Sequence, residues 1–327
     1  MRASRIIQQF EGKHVLVLGD VMLDAYLIGK VSRISPEAPV PIVGLQQEDQ
    51  RLGGAANVAL NLVSLGAKTT ICSVIGNDSE GRKLIDLLHE NEISSEGIID
   101  SPNRKTTIKT RVLADHQQLI RIDSEQCDDI SSELTGQLIK KIEQLLQNGV
   151  DALIFEDYNK GVLTEELIQQ VIALCKKYQV ITTVDPKKKN FFSYQGVDLF
   201  KPNLKELKEG LDLQFDIQDR DSFRNAVKAL QQKLAHRITF ITLSEHGVFI
   251  DDQQEEHFLP AHLRNISDVS GAGDTVISVA TLCMCIDLPI EKVAAISNLA
   301  GGLVCEKSGV VSILPQELMQ QMENLDF

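Results

Sequence analysis

Asp268-Val-Ser-Gly-Ala-Gly-Asp274-Thr275 follows a strand-like region and opens a long apolar helix, predicted over residues 272–286. Gly271, Ala272 and Gly273 carry almost no side chain, so the backbone can turn tightly and leave its N–H groups uncovered. A helix N-terminus adds unpaired donors and about half a positive charge. Such a turn is a cradle for the negative charge that gathers on a phosphoryl group in transfer. Asp274 falls in the first helical turn, where a carboxylate can take the proton of an attacking hydroxyl. Read for structure alone, the same residues make a turn, with Asp268 or Ser270 capping the helix. By themselves the residues leave both readings standing. There is no G-x-x-x-x-G-K-[ST], so this is not a Walker loop, and no G-x-G-x-x-G, which argues against a dinucleotide site.

Outward from this turn, short β-branched runs alternate with helical patterns. Strands are predicted at residues 14–19, 69–76, 152–155, 180–184, 199–200 and 238–243. Helices are predicted at 54–65, 80–89, 164–178, 222–234 and 290–306. That alternation implies an α/β fold, with a mostly parallel central sheet and helices on both faces. Residues 40–52 and 98–123 hold short strands without helices between them. They read as a small β-strand lid. There is no Ser/Gly-rich linker and no repeat, so residues 1–327 are expected to form one domain, with lid segments at about 30–52 and 98–123.

The formal net charge of -13 disfavours nucleic acid and anionic lipid as partners. Hydrophobic residues make up 43% of the chain, enough for a full core. None of the six cysteines forms a C-x-x-C or a zinc spacing. No run approaches the roughly 20 apolar residues that span a bilayer, and residues 1–10 do not read as a secretory signal. A cytoplasmic protein with no membrane association is expected.

The turn at Asp268–Asp274 resembles the C-terminal signature of the ribokinase-like (PfkB) carbohydrate kinases. Gly53-Gly54-Ala-Ala-Asn57-Val-Ala59 resembles their N-terminal signature. The order and separation of the two match the family, and the resemblance covers essentially the whole chain. It implies a ribokinase-like fold, ATP as phosphoryl donor, Mg²⁺, Asp274 as base, and a lid closing over the sugar. Asp24, Gly53, Gly54 and Asn57 would hold the sugar. Further segments resemble one branch of the family, the kinases of D-glycero-β-D-manno-heptose 7-phosphate. They are Gly19-Asp20-Val-Met-Leu-Asp24, residues 32–41, Arg111-Val-Leu, and His116-Gln-Gln-Leu-Ile-Arg121-Ile-Asp123. That likeness implies phosphorylation of the anomeric hydroxyl to the 1,7-bisphosphate, on the route to ADP-heptose and lipopolysaccharide core. Ala25, Leu27, Leu52, Ser244 and Val269 depart from the family pattern. No H-x-G-H nucleotidyltransferase motif occurs, so a stand-alone kinase is expected. Two other readings stay open: a ribokinase-like kinase of another sugar or nucleoside, and a silent sugar-phosphate sensor.

A sugar phosphate needs cations. Arg33, Lys105, Lys109, Arg111 and Arg121 lie in or beside the lid strands of an otherwise acidic chain, and arginine grips phosphate with two prongs. Edge strands also carry such charges simply to discourage pairing. On the nucleotide side, Asn203 and Glu206 resemble the family's N-x-x-E element; three residues apart, they could equally cap a helix. Glu206 and Asp157 are candidate Mg²⁺ ligands. Thr242, Ser244 and Gly247 follow a strand where the family lays ATP. Lys187 could reach the phosphates, although Lys187–Lys189 also reads as a solvated run. A monovalent cation near Asp268 and Gly309 is implied by the resemblance alone. The open strand edges of the lid make a homodimer through it an expectation.

Overall fold

The computed structural model describes residues 2–115, 117–262, 264–307 and 309–323. Its larger sheet runs, edge to edge, Glu256–Leu259, Val248–Asp251, Ile238–Thr242, Leu199–Phe200, Ile181–Asp185, Ala152–Glu156, His14–Gly19, Lys68–Gly76 and Ser94–Ser101. Among the first three strands each neighbouring pair is antiparallel; every other neighbouring pair is parallel. Strand side chains alternate between faces, and the two cores follow from that. Val15, Val17 and Ile154 join one apolar cluster with helices Ala55–Ser64, Ala272–Cys285 and Ile290–Cys305. Leu16, Leu18, Leu153 and Phe155 join the other with Ser132–Gln147, Glu165–Tyr178 and Arg220–Leu234. The expected fold class is what the chain adopts.

Helix Ala272–Cys285 is central: every residue from Asp274 to Cys285 is buried. It is apolar on nearly all sides, as a fully enclosed helix must be, and its few polar groups are matched. Asn57 Nδ2 donates to Asp274, Thr275 Oγ1 to Asn61 Oδ1 at 3.0 Å, and Ser278 Oγ to the Val58 carbonyl at 3.2 Å. These bonds lock the helix that carries Asp274 to the helix that carries Asn57.

The smaller sheet holds Pro41–Gly54, Val21–Ile34, Thr107–Ala114 and Gln117–Ser124, in that order. Its outline corrects the expected boundaries. The strand begins at Val21, not near residue 30, because residues 21–34 pair along nearly their whole length with 41–54. Residues 98–101 belong to the larger sheet, where Ser94–Ser101 extends its far edge. Only Asp20 separates the last residue of His14–Gly19 in the central sheet from the first of Val21–Ile34 in the small one, a junction that no local pattern in residues 20–30 announces.

Candidate active site

Gly271 takes φ of 81°, a backbone region that suits glycine, and Ala272 starts the helix behind it. A side chain at Gly271 would come within 2.8 Å of Asn57 Nδ2. Gly273 stands close to Asp185 and Lys201: a Cβ there would lie 3.5 Å from Asp185 Oδ2 and 3.7 Å from Lys201 Nζ. Gly271 is therefore the position of the turn that requires glycine, while Gly273 brings the backbone beside Asp185 and Lys201. That turn borders a cleft of about 460 Å³, also lined by Thr242, Ser244 and Asn203.

Asp274 is 6% exposed, and both its oxygens are engaged: Asn57 Nδ2 donates to Oδ2 at 2.6 Å and the Tyr158 hydroxyl to Oδ1 at 2.9 Å. Burial raises its pKa above the ordinary aspartate value; Asp185 pushes the same way, while Asn57, Tyr158 and Lys201 oppose. A base of raised pKa holds a proton more readily. Glu156, Asp185 and Asp274 bring carboxylate oxygens within 4.8 Å of one another. Glu156 is buried with Oε2 unpartnered, and burial, reinforced by Asp185 and Asp274, raises its pKa well above the ordinary value. Lys201, also buried, is 2.8 Å from Asp185. Burial alone would lower the Lys201 pKa, but Asp185 and Glu206 outweigh it and keep the ammonium charged. An orphaned buried oxygen facing two further carboxylates is a donor set suited to a hard divalent cation.

The second pole lies on the small sheet. Arg111 Nη1 reaches Asp24 Oδ1 at 2.5 Å, and Asp24 is 4% exposed. A side chain at Gly53 would collide with the Asp24 carboxylate, and one at Gly54, with φ of 60°, with the Asp20 carbonyl. The glycine pair thus makes room for the carboxylate and the bend into helix Ala55–Ser64. Lys109 stands next but one to Arg111 on its strand; its ammonium lies 5.5 Å from the Tyr158 ring centre.

Not all candidates gather at these poles. Asp157 is turned away. Its oxygens accept from the Asn159 N–H, at 2.8 Å, and the Tyr194 hydroxyl, at 2.8 Å. Strand alternation puts it opposite in sense to Glu156, so Glu156, one residue earlier, is the carboxylate that faces Asp185 and Asp274. Glu206 closes a capping box with Asn203 and pairs with Lys187 at 2.5 Å, so its oxygens are in use at the helix start. Burial would lower the Lys187 pKa; Asp185 and Glu206 overcome this and raise it. Arg33 is exposed at the far end of its strand from Asp24, opposite Ile42. Arg121 sits across from Arg111, yet its guanidinium is tied to Asp123 at 2.9 and 3.0 Å. Gly247, with φ of 90°, makes the turn under Leu259 rather than lining the cleft. Both Asp268 oxygens accept backbone N–H groups, from Ser270 at 2.9 Å and Gly309 at 3.0 Å, which ties the Gly271–Gly273 turn to the loop beyond Cys305. His116 lies outside the described residues.

Sequence reasoning passed over Glu156, Tyr158, Asp185, Lys201 and Arg51. Glu156 and Asp185 end neighbouring parallel strands in register, and strand C-termini border the crevice of open α/β sheets; that was the available signal. Arg51 lies 4.9 Å from the Tyr26 ring centre, which Arg111 also approaches, at 5.4 Å. Nothing local in the sequence joins those three.

The pattern of the pfkB family carbohydrate kinases matches residues 13–317, and the chain belongs to that family. It is a phosphotransferase acting on a sugar hydroxyl. Among curated relatives, the bifunctional protein HldE of Aliarcobacter butzleri is 39% identical over 312 residues, covering 95% of this chain and 65% of the relative. HldE of Methylobacillus flagellatus is 40% identical over 310 residues, covering 95% and 63%. The chain thus spans about two thirds of the length of these relatives. Among solved structures, phosphofructokinase-2 of Escherichia coli in complex with potassium superimposes with a TM-score of 0.78 at 18% identity, over 96% of this chain and 99% of that one. Ribokinase of Arabidopsis thaliana with ribose and ATP gives 0.73 at 16%, over 96% and 100%. Among the described residues, no helix is long and apolar enough to cross a membrane.

Proposed function

We propose that this chain transfers the terminal phosphoryl group of ATP to the anomeric hydroxyl of D-glycero-β-D-manno-heptose 7-phosphate, giving the 1,7-bisphosphate for ADP-heptose synthesis. The observation that carries the reading is Asp274: a buried carboxylate at a helix N-terminus, fixed by two donors and facing a cleft lined with lysines. Asp274 takes the hydroxyl proton as the oxygen attacks phosphorus. The Gly271–Gly273 turn and Lys201 stabilise charge on the transferring group. Lys187, Asn203, Thr242 and Ser244 line the nucleotide arm of the cleft. Glu156 and Asp185 would hold Mg²⁺, which when bound neutralises phosphate oxygens. Asp24 and Asn57 receive sugar hydroxyls, and Lys109 and Arg111 meet the distal phosphate. The choice of sugar rests on the heptose-kinase-like segments and on this cation pair beside Asp24.

The small sheet also exposes Ile34, Val40, Leu45, Leu119, Ile120 and Ile122. So many uncovered apolar side chains on one thin sheet suit pairing with a second copy, and a homodimer through this sheet is part of the proposal. An ADP-release assay tests the substrate. Heptose 7-phosphate should support turnover and unphosphorylated heptose little. Robust activity on ribose, fructose or adenosine with none on heptose 7-phosphate would replace this reading with that of another sugar or nucleoside kinase.

A further inference from the structure

The loop after strand Ala152–Glu156 is pinned with unusual thoroughness. The buried Asp20 carboxylate accepts the N–H groups of Tyr158, Lys160 and Val162, each at 3.0 Å. A loop held at three points cannot swing, and it aims the Tyr158 side chain into the cleft. There the hydroxyl donates to Asp274 Oδ1 at 2.9 Å. Lys109 of the small sheet and Lys187 of the nucleotide arm both lie against the ring, at 5.5 and 5.7 Å from its centre. We infer that Tyr158 is a positioning residue for the reaction: its hydroxyl and the Asn57 amide clamp one carboxylate oxygen each, so that Asp274 presents a fixed lone pair to the attacking hydroxyl. This rests on the reading of Asp274 as the base.

The chemistry fits a permanent donor. A phenol ordinarily titrates at about pH 10, so the hydroxyl that meets Asp274 Oδ1 is a standing donor at working pH. A carboxylate with a single partner can rotate about its Cβ–Cγ bond; one bonded at both oxygens cannot without breaking a bond. Fixing the reacting oxygen in the attack geometry is where much of a kinase's rate comes from. Tyr158 also touches a lysine from each substrate's side of the cleft. The same ring therefore separates those two cations while its hydroxyl steadies the base between them.

The test is a double-mutant cycle on the full chain, read as ADP release. Tyr158→Phe keeps the ring and its lysine contacts and removes only the donor. It should lower kcat about 10- to 100-fold, as loss of a bond to a charged group does, with KM for sugar and for ATP changed less than about twofold. In an Asp274→Asn background the same change should cost nothing further, because its effect runs through the carboxylate. ADP affinity and melting temperature verify that each variant is folded. 4-Aminophenylalanine at position 158, which keeps a donor of the same reach, should restore kcat to within about fivefold. A Tyr158→Phe enzyme with full kcat, a loss confined to KM, or an equal loss in both backgrounds would overturn the inference while leaving Asp274 in place. Near-normal turnover by Asp274→Asn would remove the base, and Tyr158's role with it.

Discussion

At the cleft floor, charged side chains are buried: Glu156, Asp185, Lys201 and Asp274 are each less than about a tenth exposed. In the small sheet, apolar side chains are uncovered: Ile34 is 60% and Ile120 55% exposed. Each region keeps what folding alone would discard. Buried carboxylates destabilise a protein unless something answers their charge, and exposed isoleucines gain nothing until covered. On the proposed function, ligands would complete the floor and a second copy would cover the sheet. The floor is also rigid, being built on strand ends and a locked helix, whereas the sheet is thin and has two open edges.

Asp274→Asn breaks the comparison most sharply. Removing the proposed base should cut kcat by about 10²–10⁴-fold with ATP affinity little altered, measured by ADP release and nucleotide titration. In the native enzyme, the raised pKa of Asp274 makes activity fall with acid at a higher pH than an ordinary aspartate would. Below that pKa the carboxylate is protonated and cannot accept the hydroxyl proton, so a pH–rate profile should show its acid limb above the usual value of 3.8. Arg111→Ala comes next. It should lower kcat/KM for the sugar phosphate by about 10- to 100-fold and affect an unphosphorylated sugar much less. Ile120→Asp together with Ile122→Asp tests the sheet. Light scattering should show loss of the dimer, with the melting temperature down by only a few degrees, roughly 2–4 °C per kcal/mol.

The smallest effect has the opposite sign. Glu156→Gln should stabilise the ligand-free protein by about 2–4 °C while impairing turnover. The folded Glu156 pKa lies above the ordinary value of 4.5. Its contribution to stability is full below that value and is lost as pH rises through the folded pKa. The gain from glutamine should therefore be present at pH 8 and vanish toward pH 4. A melting series without divalent cation measures this, and a destabilised variant at neutral pH would contradict the burial of an unanswered carboxylate.

What could be read from the sequence was what is local. The turn at Asp268–Thr275 sets its own geometry through Gly271 and Gly273, and the strand–helix alternation follows from side-chain periodicity. Asp157 and Glu156 show the limit. Both end a strand, but a difference of one residue reverses the face, and only the pairing of Glu156 with Asp185 reveals which carboxylate meets Asp274. The lid cations show a second limit. Arg33, Arg111 and Arg121 look alike in sequence; the pairing of strands Val21–Ile34 and Thr107–Ala114 puts Arg111 across from Tyr26, within reach of Asp24, and leaves Arg33 outside. Glu206 was legible as either ligand or cap, and the capping box is what the backbone chose.

The bond between Arg111 and Asp24 has an implication for selectivity. While it lasts, one oxygen of the acceptor proposed for a sugar's hydroxyls is occupied. On the proposed function, an anion arriving at the guanidinium would draw it away and free that oxygen, so a molecule bearing both groups would carry its own key. A neutral sugar must force that latch unaided. On that reading, discrimination against neutral sugars would already be built into the resting protein.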